Sequence, residues 1–238
     1  MEHLEFWFSI KNIMVHIPLG TGYDLSYIEA VGTVFGLLCI WYASKEKIIN
    51  YFYGLINVAL FCIIFYQIQL YANMLLQLYF FVINIYGWYA WSRQSSDSSA
   101  ALKVRWMSKS KTITTVISAI VCIIVLALFI NPIFYSLTKA AVYIVNLAGV
   151  NLAVPPLIPD PNPILDSTVT ILSLIAMILM TRKYVENWIM WFLIDILSII
   201  LYSTQGVYVI ALEYVLLTFI ASSGTINWIK TAKKNKEI

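Results

Sequence analysis

The sequence predicts an all-α integral membrane protein with seven transmembrane helices, arranged as 3+1+3 parallel repeats and preceded by a short N-terminal amphipathic helix. Composition is the first observation behind this prediction, because 61% of the 238 residues are hydrophobic and only 11% are charged, whereas soluble domains are about 25% charged. Apolar runs of about twenty residues are the second, since they match the bilayer core and lack the alternation of a membrane barrel. An internal repeat is the third.

The N-terminal segment, residues 1–22, is predicted to lie at the membrane surface. It mixes aromatic side chains such as Trp7 with charged ones such as Lys11, and this mixture is too polar and too short for a transmembrane span. An interfacial amphipathic helix over residues 1–17 fits it better, with an extra N-terminal span as the alternative. Pro18 and the glycines after it end the segment.

The rest of the chain divides where apolar runs meet polar or proline-rich stretches. Short joints within each repeat make consecutive helices antiparallel neighbours. The predicted spans are residues 27–42, 48–66, 70–91, 112–130, 167–181, 184–202 and 207–229. The predicted units are a first three-helix repeat over 26–92, a cytoplasmic basic loop over 93–111, a linker transmembrane helix over 112–131, an extracytoplasmic proline-rich loop over 132–165, a second three-helix repeat over 166–230 and a cytoplasmic tail over 231–238.

The proline-rich loop is predicted from its residue types. Asn131-Pro132 is expected to stop the linker helix, because a proline inside a helix removes a hydrogen bond and clashes with the preceding turn. Residues 139–147 are only weakly helical in pattern. Five of the seven prolines then fall within residues 155–163, so that stretch cannot be a membrane helix.

Lysines and arginines predict the orientation. Seven spans place Lys45 and Lys47, the 93–111 loop, Arg182 and Lys183 on the same side as the lysine-rich tail. By the positive-inside rule, that side is cytoplasmic. The first span is therefore expected to start outside, and the C-terminus is expected in the cytoplasm.

The chain matches itself without gaps at an offset of 137 residues. Leucines can match by chance in so apolar a chain, but asparagine, tyrosine, glycine and tryptophan at one fixed offset are harder to dismiss. The clearest pairs are Asn50 with Asn187, Tyr71 with Tyr208, Gly87 with Gly224 and Trp91 with Trp228. Parallel repeats related by an axis along the membrane normal are found in transporters, whose substrates bind between the repeats near the bilayer midplane.

Three polar side chains from three predicted helices share one depth. Asn57, Asn84 and Asp195 lie 9 to 12 residues from the basic ends of their spans, which places them roughly 14 to 18 Å deep, close to the bilayer middle. A carboxylate is costly there, so Asp195 is the first functional-site candidate. Hydrogen bonding between helices would explain the asparagines equally well, and a structural pairing with one of them would explain Asp195.

Three further polar residues lie farther out along the same predicted pathway. Gln77 and Tyr214 occupy matching positions in the two repeats, and Glu213 precedes Tyr214. A column of donors and acceptors between aromatic walls suits a neutral, hydroxyl-bearing aromatic molecule. A water-filled outer vestibule is an equally good explanation of Glu213.

The tryptophans cluster toward the basic ends of the spans. For Trp41, Trp91 and Trp228 we predict an ordinary interfacial belt. Trp191 lies roughly 12 Å in from the start of its span, deeper than such a belt. For Trp188 and Trp191 we therefore predict stacking on a ligand.

No sequence motif predicts catalysis, a cofactor or a metal. The chain has no phosphate-binding glycine loop, HExxH or CxxC motif, and its three cysteines each lie alone in an apolar run. The basic residues sit between spans and serve orientation, so the net charge of +3 says little about nucleic acid. The expected partner is the lipid bilayer, and no nucleic acid is expected. Ion coupling through Asp195 or Glu213 stays open.

Two stretches resemble the bacterial PnuC family of vitamin transporters. They are Asn187-Trp188-Ile189-Met190-Trp191, with Asp195 and Tyr202 behind it, and Tyr86-Gly87-Trp88-Tyr89-Ala90-Trp91. The resemblance covers the chain from about Tyr27 to Trp228 and implies a SWEET-like fold, although the proline-kinked helices of SWEET sugar transporters are missing. It implies uptake of nicotinamide riboside across the bacterial inner membrane by facilitated diffusion with alternating access, trapping by cytoplasmic phosphorylation, and a homotrimer as an expected assembly.

The resemblance also implies three kinds of contact with the substrate: stacking on the cationic pyridinium ring, hydrogen bonds to the amide and ribose, and an offset for the ring's charge. It assigns them, in that order, to Trp188 and Trp191; to Gln77, Asn84 and Asn187; and to Asp195 or Glu213. Relatives of this family take thiamine or riboflavin, so another aromatic vitamin or a sugar is the alternative substrate. A membrane receptor that binds without transport is the alternative from another class.

Overall fold

The structure, a computed structural model, describes residues 6–20, 22–93, 102–156 and 158–236. In these residues a pair of short antiparallel strands is followed by seven long helices. Their bounds are β1 Ile13–Ile17, β2 Tyr23–Ser26, α1 Tyr27–Ser44, α2 Asn50–Gln67, α3 Tyr71–Ser92, α4 Lys109–Leu147, α5 Pro163–Thr181, α6 Glu186–Thr204 and α7 Tyr208–Lys236.

The long helices have the length and composition of membrane spans. Six of the helices in the described residues are long and apolar enough to cross a bilayer, and α3 has the length, with 22 residues, but carries more polar side chains. Large apolar side chains stay exposed along them, as Ile113, Val121 and Leu128 do on α4, where lipid would cover them. The predicted helical membrane class is confirmed at this level, with a small sheet that was not predicted.

The N-terminal prediction of an amphipathic helix over residues 1–17 is wrong in the described part. Residues 6–8 are helical, but Ile13–Ile17 forms a strand that pairs with Tyr23–Ser26, with His16 opposite Asp24. The mixture of aromatic and charged residues did not decide between a helix and a strand. The β-branched residues within Ile13–Ile17 favour the strand. Gly20 and Gly22 adopt left-handed backbone (φ 64° and 82°), which the reversal of the chain requires.

The prediction that the linker helix stops at Asn131-Pro132 is also wrong. α4 breaks at Phe129 (φ −122°, ψ 19°) but then continues to Leu147. Pro132 therefore lies in the first turn after a break, where its missing N–H leaves no hydrogen bond unmade. The predicted proline-rich loop is thus helical up to Leu147, and it is irregular only after that residue.

Other predicted boundaries shift by less. α4 begins at Lys109, within the predicted basic loop, of which residues 94–101 lie outside the described ranges. α7 runs through the predicted tail as far as Lys236, because lysine is a good helix former and its charge is favourable at a helix C-terminus. α5 starts at Pro163, a residue well suited to a first helical position.

The helices form two groups of three. α1, α2 and α3 pack consecutively, as do α5, α6 and α7, and the groups meet where α1 packs on α7 and α3 packs on α5. Left-handed residues recur at the 137-residue offset in the matching joints: Glu46 and Lys183 (both φ 55°), and Gln69 and Gly206 (φ 62° and 78°). The joints of the two groups therefore have the same backbone geometry.

The two ends of the bundle differ in chemistry. At one, which we call the basic end, Asn235 of α7 donates to the carbonyl of Val104 at 3.0 Å, beside Lys183 and the C-terminal lysines. At the other, the hairpin end, Gln67 closes α2. Its Nε2 donates to the Phe8 carbonyl at 2.7 Å, and its Oε1 accepts from the Ile10 amide at 3.1 Å. The N-terminal segment is thereby fixed to the end of α2.

Candidate functional site

A cavity of about 250 Å³ lies between the two groups of helices. Its walls come from α1, α2, α3, α5, α6 and α7, so neither group encloses it alone. Seven of the nine residues predicted to bind substrate line it: Asn57, Gln77, Asn84, Trp188, Trp191, Asp195 and Tyr214. Most of the remaining wall is apolar, from residues such as Phe80 and Met177, with Ser173 as a further polar position.

Two glycines let the asparagine side chains reach the cavity. A Cβ on Gly36 would lie 2.8 Å from Nδ2 of Asn57, and a Cβ on Gly54 would lie 2.6 Å from Oδ1 of Asn84. Asn57 uses Nδ2 to donate to the Gly32 carbonyl across α1 and α2 at 2.8 Å, so the predicted structural role between helices is present.

Asn84 offers an unmet acceptor. Its Nδ2 donates to the Phe80 carbonyl one turn back at 2.8 Å, whereas its Oδ1 is buried with no hydrogen-bond partner in the described residues. A buried carbonyl oxygen without a donor costs roughly 1–3 kcal/mol. A ligand N–H placed in the cavity would recover that cost.

Asp195 is the acidic side chain of the cavity wall. It is 3% exposed, and the two ion pairs found between described residues, His16 with Asp24 and Lys183 with Glu46, do not include it. Among the residues that the structure describes, no lysine, arginine or histidine lines the cavity. A carboxylate in this position attracts a cationic ligand and disfavours an anionic one.

Trp188 is buried among other aromatic rings. It is 1% exposed, lies edge-on to Trp228 with ring centroids 5.8 Å apart, and packs so closely on Gly224 that a Cβ there would lie 2.6 Å from the indole. Its Nε1 has no acceptor in the described residues. Trp191 is partly buried and lines the cavity beside it. Together they form an aromatic wall with one free donor.

The interfacial belt predicted for Trp91 and Trp228 is wrong. They are 4% and 0% exposed, whereas Trp41 is 43% exposed. The indole of Trp91 donates to the Thr181 carbonyl at the end of α5, and that of Trp228 donates to the Ala43 carbonyl near the end of α1, both at 3.2 Å. Each indole thus meets backbone of the opposite helix group and needs no headgroup partner.

Sequence reasoning missed Tyr51, which matches Trp188 at the repeat offset. Tyr51 lies edge-on to Trp91 at 5.1 Å and packs on Gly87 as Trp188 packs on Gly224, with a Gly87 Cβ only 2.3 Å from its ring. We call Tyr51, Trp91, Trp188 and Trp228 the aromatic cluster. It closes the cavity toward the basic end, and the offset of 137 residues was the signal that could have found it.

Two predicted substrate contacts lie away from the cavity wall. Asn187 is fully buried and donates through Nδ2 to the Tyr184 carbonyl at 2.5 Å, as its equivalent Asn50 donates to the Lys47 carbonyl at 2.7 Å. These asparagines stabilise the first turns of α6 and α2. Glu213 lies one residue before the cavity residue Tyr214, toward the hairpin end.

Comparisons with known proteins agree on a transporter family. The family model of the nicotinamide mononucleotide transporter matches residues 26–230. The nicotinamide riboside transporter PnuC of Escherichia coli (strain K12) is 55% identical over 229 residues, covering 96% of both chains. The nicotinamide riboside transporter PnuC of Neisseria mucosa is 27% identical over 217 residues, covering 88% of this chain and 74% of that one.

A solved structure shares the fold. The crystal structure of the vitamin B3 transporter PnuC matches with a TM-score of 0.60 and 24% identity, covering 87% of this chain and 83% of that one. The resemblance predicted from the Asn187–Trp191 stretch is therefore confirmed, and the chain belongs to the nicotinamide mononucleotide transporter family, which includes the PnuC proteins.

Proposed function

We propose that this protein is a membrane transporter that takes up nicotinamide riboside by facilitated diffusion with alternating access. The observation that carries the proposal is a cavity between the two helix groups that combines an aromatic wall with one carboxylate, Asp195, and side-chain amides. Relatives that are nicotinamide riboside transporters by name support the choice of substrate.

The substrate's chemistry matches the unmet groups of the cavity. Nicotinamide riboside carries a pyridinium cation, a carboxamide and a ribose. Trp191 and Trp188 offer the cation aromatic surface, and Asp195 offsets its charge. The orphaned Oδ1 of Asn84 accepts from an amide or hydroxyl, and the orphaned Nε1 of Trp188 donates to one. Gln77 and Tyr214 add further polar atoms to the cavity wall.

The charge of the cavity favours the nucleoside over its phosphate. A nucleotide would bring a phosphate dianion beside Asp195, and the cavity wall offers no basic side chain to pair with it. Desolvating an unpaired dianion costs several kcal/mol. Nicotinamide mononucleotide is thus expected to bind far more weakly than the riboside.

The arrangement in the membrane follows from the same groups. We propose seven spans as 3+1+3 parallel repeats, with α4 as the linker helix, in the bacterial inner membrane. The basic end faces the cytoplasm, as the positive-inside rule expects, and the C-terminus lies there.

The repeats rock about the cavity, and the aromatic cluster separates when the cavity opens inward. Phosphorylation by a cytoplasmic kinase then traps the riboside, so no ion coupling is needed. A homotrimer stays a prediction, which the mass of the purified complex tests.

Calorimetry on the purified protein tests the substrate. Titration with nicotinamide riboside, nicotinamide mononucleotide, thiamine and riboflavin should give a measurable heat only for the riboside, or a dissociation constant at least about tenfold lower for it than for the others. Tighter binding of thiamine or riboflavin would contradict nicotinamide riboside as the substrate, while the cavity would stay the proposed binding site. Binding without flux in vesicles would support a receptor instead.

A further inference from the structure

The N-terminal strands cross the hairpin end between the two helix groups. On one side β2 continues directly into α1, and the residues just before β1 are held by Gln67, which hydrogen-bonds the backbone of Phe8 and Ile10. On the other side the strands touch the joint between α6 and α7. A Cβ on Gly20 would lie 2.5 Å from the Gly206 carbonyl oxygen and 2.5 Å from the ring of Tyr208. Between the described residues of the turn and the α6–α7 joint, this contact is one of close packing.

A side chain of β2 reaches toward the path into the cavity. The hydroxyl of Tyr23 donates to the carboxylate of Glu29 on α1. Burial, then the Glu29 contact and the charges of Glu29 and Glu213, raise the pKa of Tyr23 well above its ordinary value, so it stays a neutral donor. Tyr202 lies near the same phenol and stacks on Tyr214 at 5.6 Å, and Tyr214 lines the cavity.

These contacts form a continuous connection from the strands to the cavity, and the two sides of the connection differ in strength. The first helix group holds the segment covalently, because β2 runs directly into α1, and also through the Gln67 bonds to Phe8 and Ile10. The packing of Gly20 on Gly206 leaves nothing unpaired when it opens. The strands are therefore built to move with the first helix group and to separate from the second.

We propose that the β1–β2 segment is a lid over the outer mouth of the transport pathway, and this inference rests on the proposed transport function. The lid stays on the first repeat through Gln67. It closes when Gly20 seats on the α6–α7 joint and Tyr23 fills the mouth beside Glu29, and it lifts from that joint when the pathway opens outward. The match to the family model begins only at residue 26, so the lid lies outside the part of the chain that defines the family.

Gly20 allows a matched test. It combines a left-handed backbone (φ 64°) with the closest contact of the lid, so Gly20→Val strains the backbone and prevents seating. Gly149 has the same kind of backbone (φ 86°) and no neighbouring heavy atom within 4 Å of a built Cβ. Gly149→Val therefore repeats the strain without touching the lid.

The measurement is the rate at which a membrane-impermeant thiol reagent, added outside cells, labels a cysteine in the cavity. The background is the full chain with Cys39, Cys62 and Cys122 replaced by alanine and Ser173→Cys as the probe on the cavity wall. We expect Gly20→Val to raise the labelling rate about threefold or more, because the closed population falls. Gly149→Val should leave the rate unchanged.

Tyr23→Ala is the second variant, which empties the mouth without changing a glycine, and it should raise the rate as well. Unchanged labelling in both Gly20→Val and Tyr23→Ala, or an equal rise in Gly149→Val, would overturn the lid. If Gly20→Val does not fold, Tyr23→Ala alone decides. No substrate is added in this labelling assay, so its result does not depend on which substrate the protein carries. Calorimetry tests the substrate separately.

Discussion

Glu46 and Lys183 occupy the same position in the two repeats and contact each other. The Nζ of Lys183 lies 3.9 Å from Oε2 of Glu46, and both residues have φ 55°. The same ammonium lies 4.6 Å from the ring centroid of Trp91. Burial lowers the pKa of Lys183, and the charge of Glu46 opposes that shift. One lysine of the second repeat thus holds two residues of the first at the basic end.

Breaking this ion pair should favour opening at the basic end. Glu46→Gln removes the carboxylate but keeps the size of the side chain, and a pair of this length and burial contributes about 0.5 to 1 kcal/mol. We expect labelling of the Ser173→Cys probe from the cytoplasmic side, measured in inside-out vesicles, to rise about two- to fivefold. The reversed pair, Glu46→Lys with Lys183→Glu, should return the rate toward that of the unaltered chain; failure of both effects would contradict a closing role.

The two buried indoles should behave as equivalents. Trp91→Phe and Trp228→Phe each remove one N–H bond to backbone of the other repeat, at a cost of about 1 kcal/mol. Both should lower the thermal midpoint of the purified protein by a similar few degrees. Trp41→Phe, on an exposed tryptophan, should change it little. An equal loss in all three variants would show that the reciprocal hydrogen bonds are not what stabilises the closed end.

Gly54→Ala should weaken riboside binding without unfolding the chain. The added methyl would lie 2.6 Å from Oδ1 of Asn84 and force that amide out of place, so we expect about a tenfold or greater loss of affinity by calorimetry. Gly36→Ala should displace Asn57 in the same way, with its methyl 2.8 Å from Nδ2. Gly149→Ala is the control, and affinity unchanged by Gly54→Ala would remove Asn84 from the binding site.

Asp195→Asn should show whether Asp195 recognises the positive charge of the ligand. Losing a buried charge contact of about 1.5 to 3 kcal/mol lowers affinity for the cationic riboside by about ten- to a hundredfold. The reduced, uncharged form of the riboside has nearly the same shape and should bind the variant and the unaltered protein alike. Equal losses for both ligands would mean that Asp195 only stabilises the fold.

Hydropathy, depth and the repeat offset predicted the helices and most of the polar side chains of the cavity wall. Helical spans leave long apolar runs, and two related halves leave matched residues. The same signals could not tell strand from helix in residues 13–17, where the segment is short and flanked by turns. They also missed the continuation of α4 past Pro132, since a break at Phe129 turns an interior proline into a first-turn proline. Trp91 and Trp228 could not be placed by depth alone, because burial depends on which helix lies opposite.

Asn187 shows a further limit. Its place in the tryptophan stretch suggested substrate contact, yet its amide bonds the Tyr184 carbonyl. The repeat offers a structural alternative, because Asn50 has no tryptophan stretch beside it and makes the same bond to the Lys47 carbonyl. Asparagines that match at the repeat offset at two helix starts therefore favour a structural role, although the Oδ1 atoms of Asn50 and Asn187 also lack a partner among the described residues. Asn84, which has no equivalent asparagine, differs because its unmet Oδ1 belongs to a residue of the cavity wall.

The most direct test of the central claim is flux of labelled nicotinamide riboside into proteoliposomes that contain only this protein, with no ion gradient and no ATP. Facilitated diffusion through the cavity predicts uptake that stops when inside and outside concentrations are equal. It also predicts that uptake is lost in Asp195→Asn and kept in Asp24→Asn, whose carboxylate lies on the exposed strand beside His16. Uptake no faster than in protein-free vesicles, or equally fast in both variants, would contradict the account.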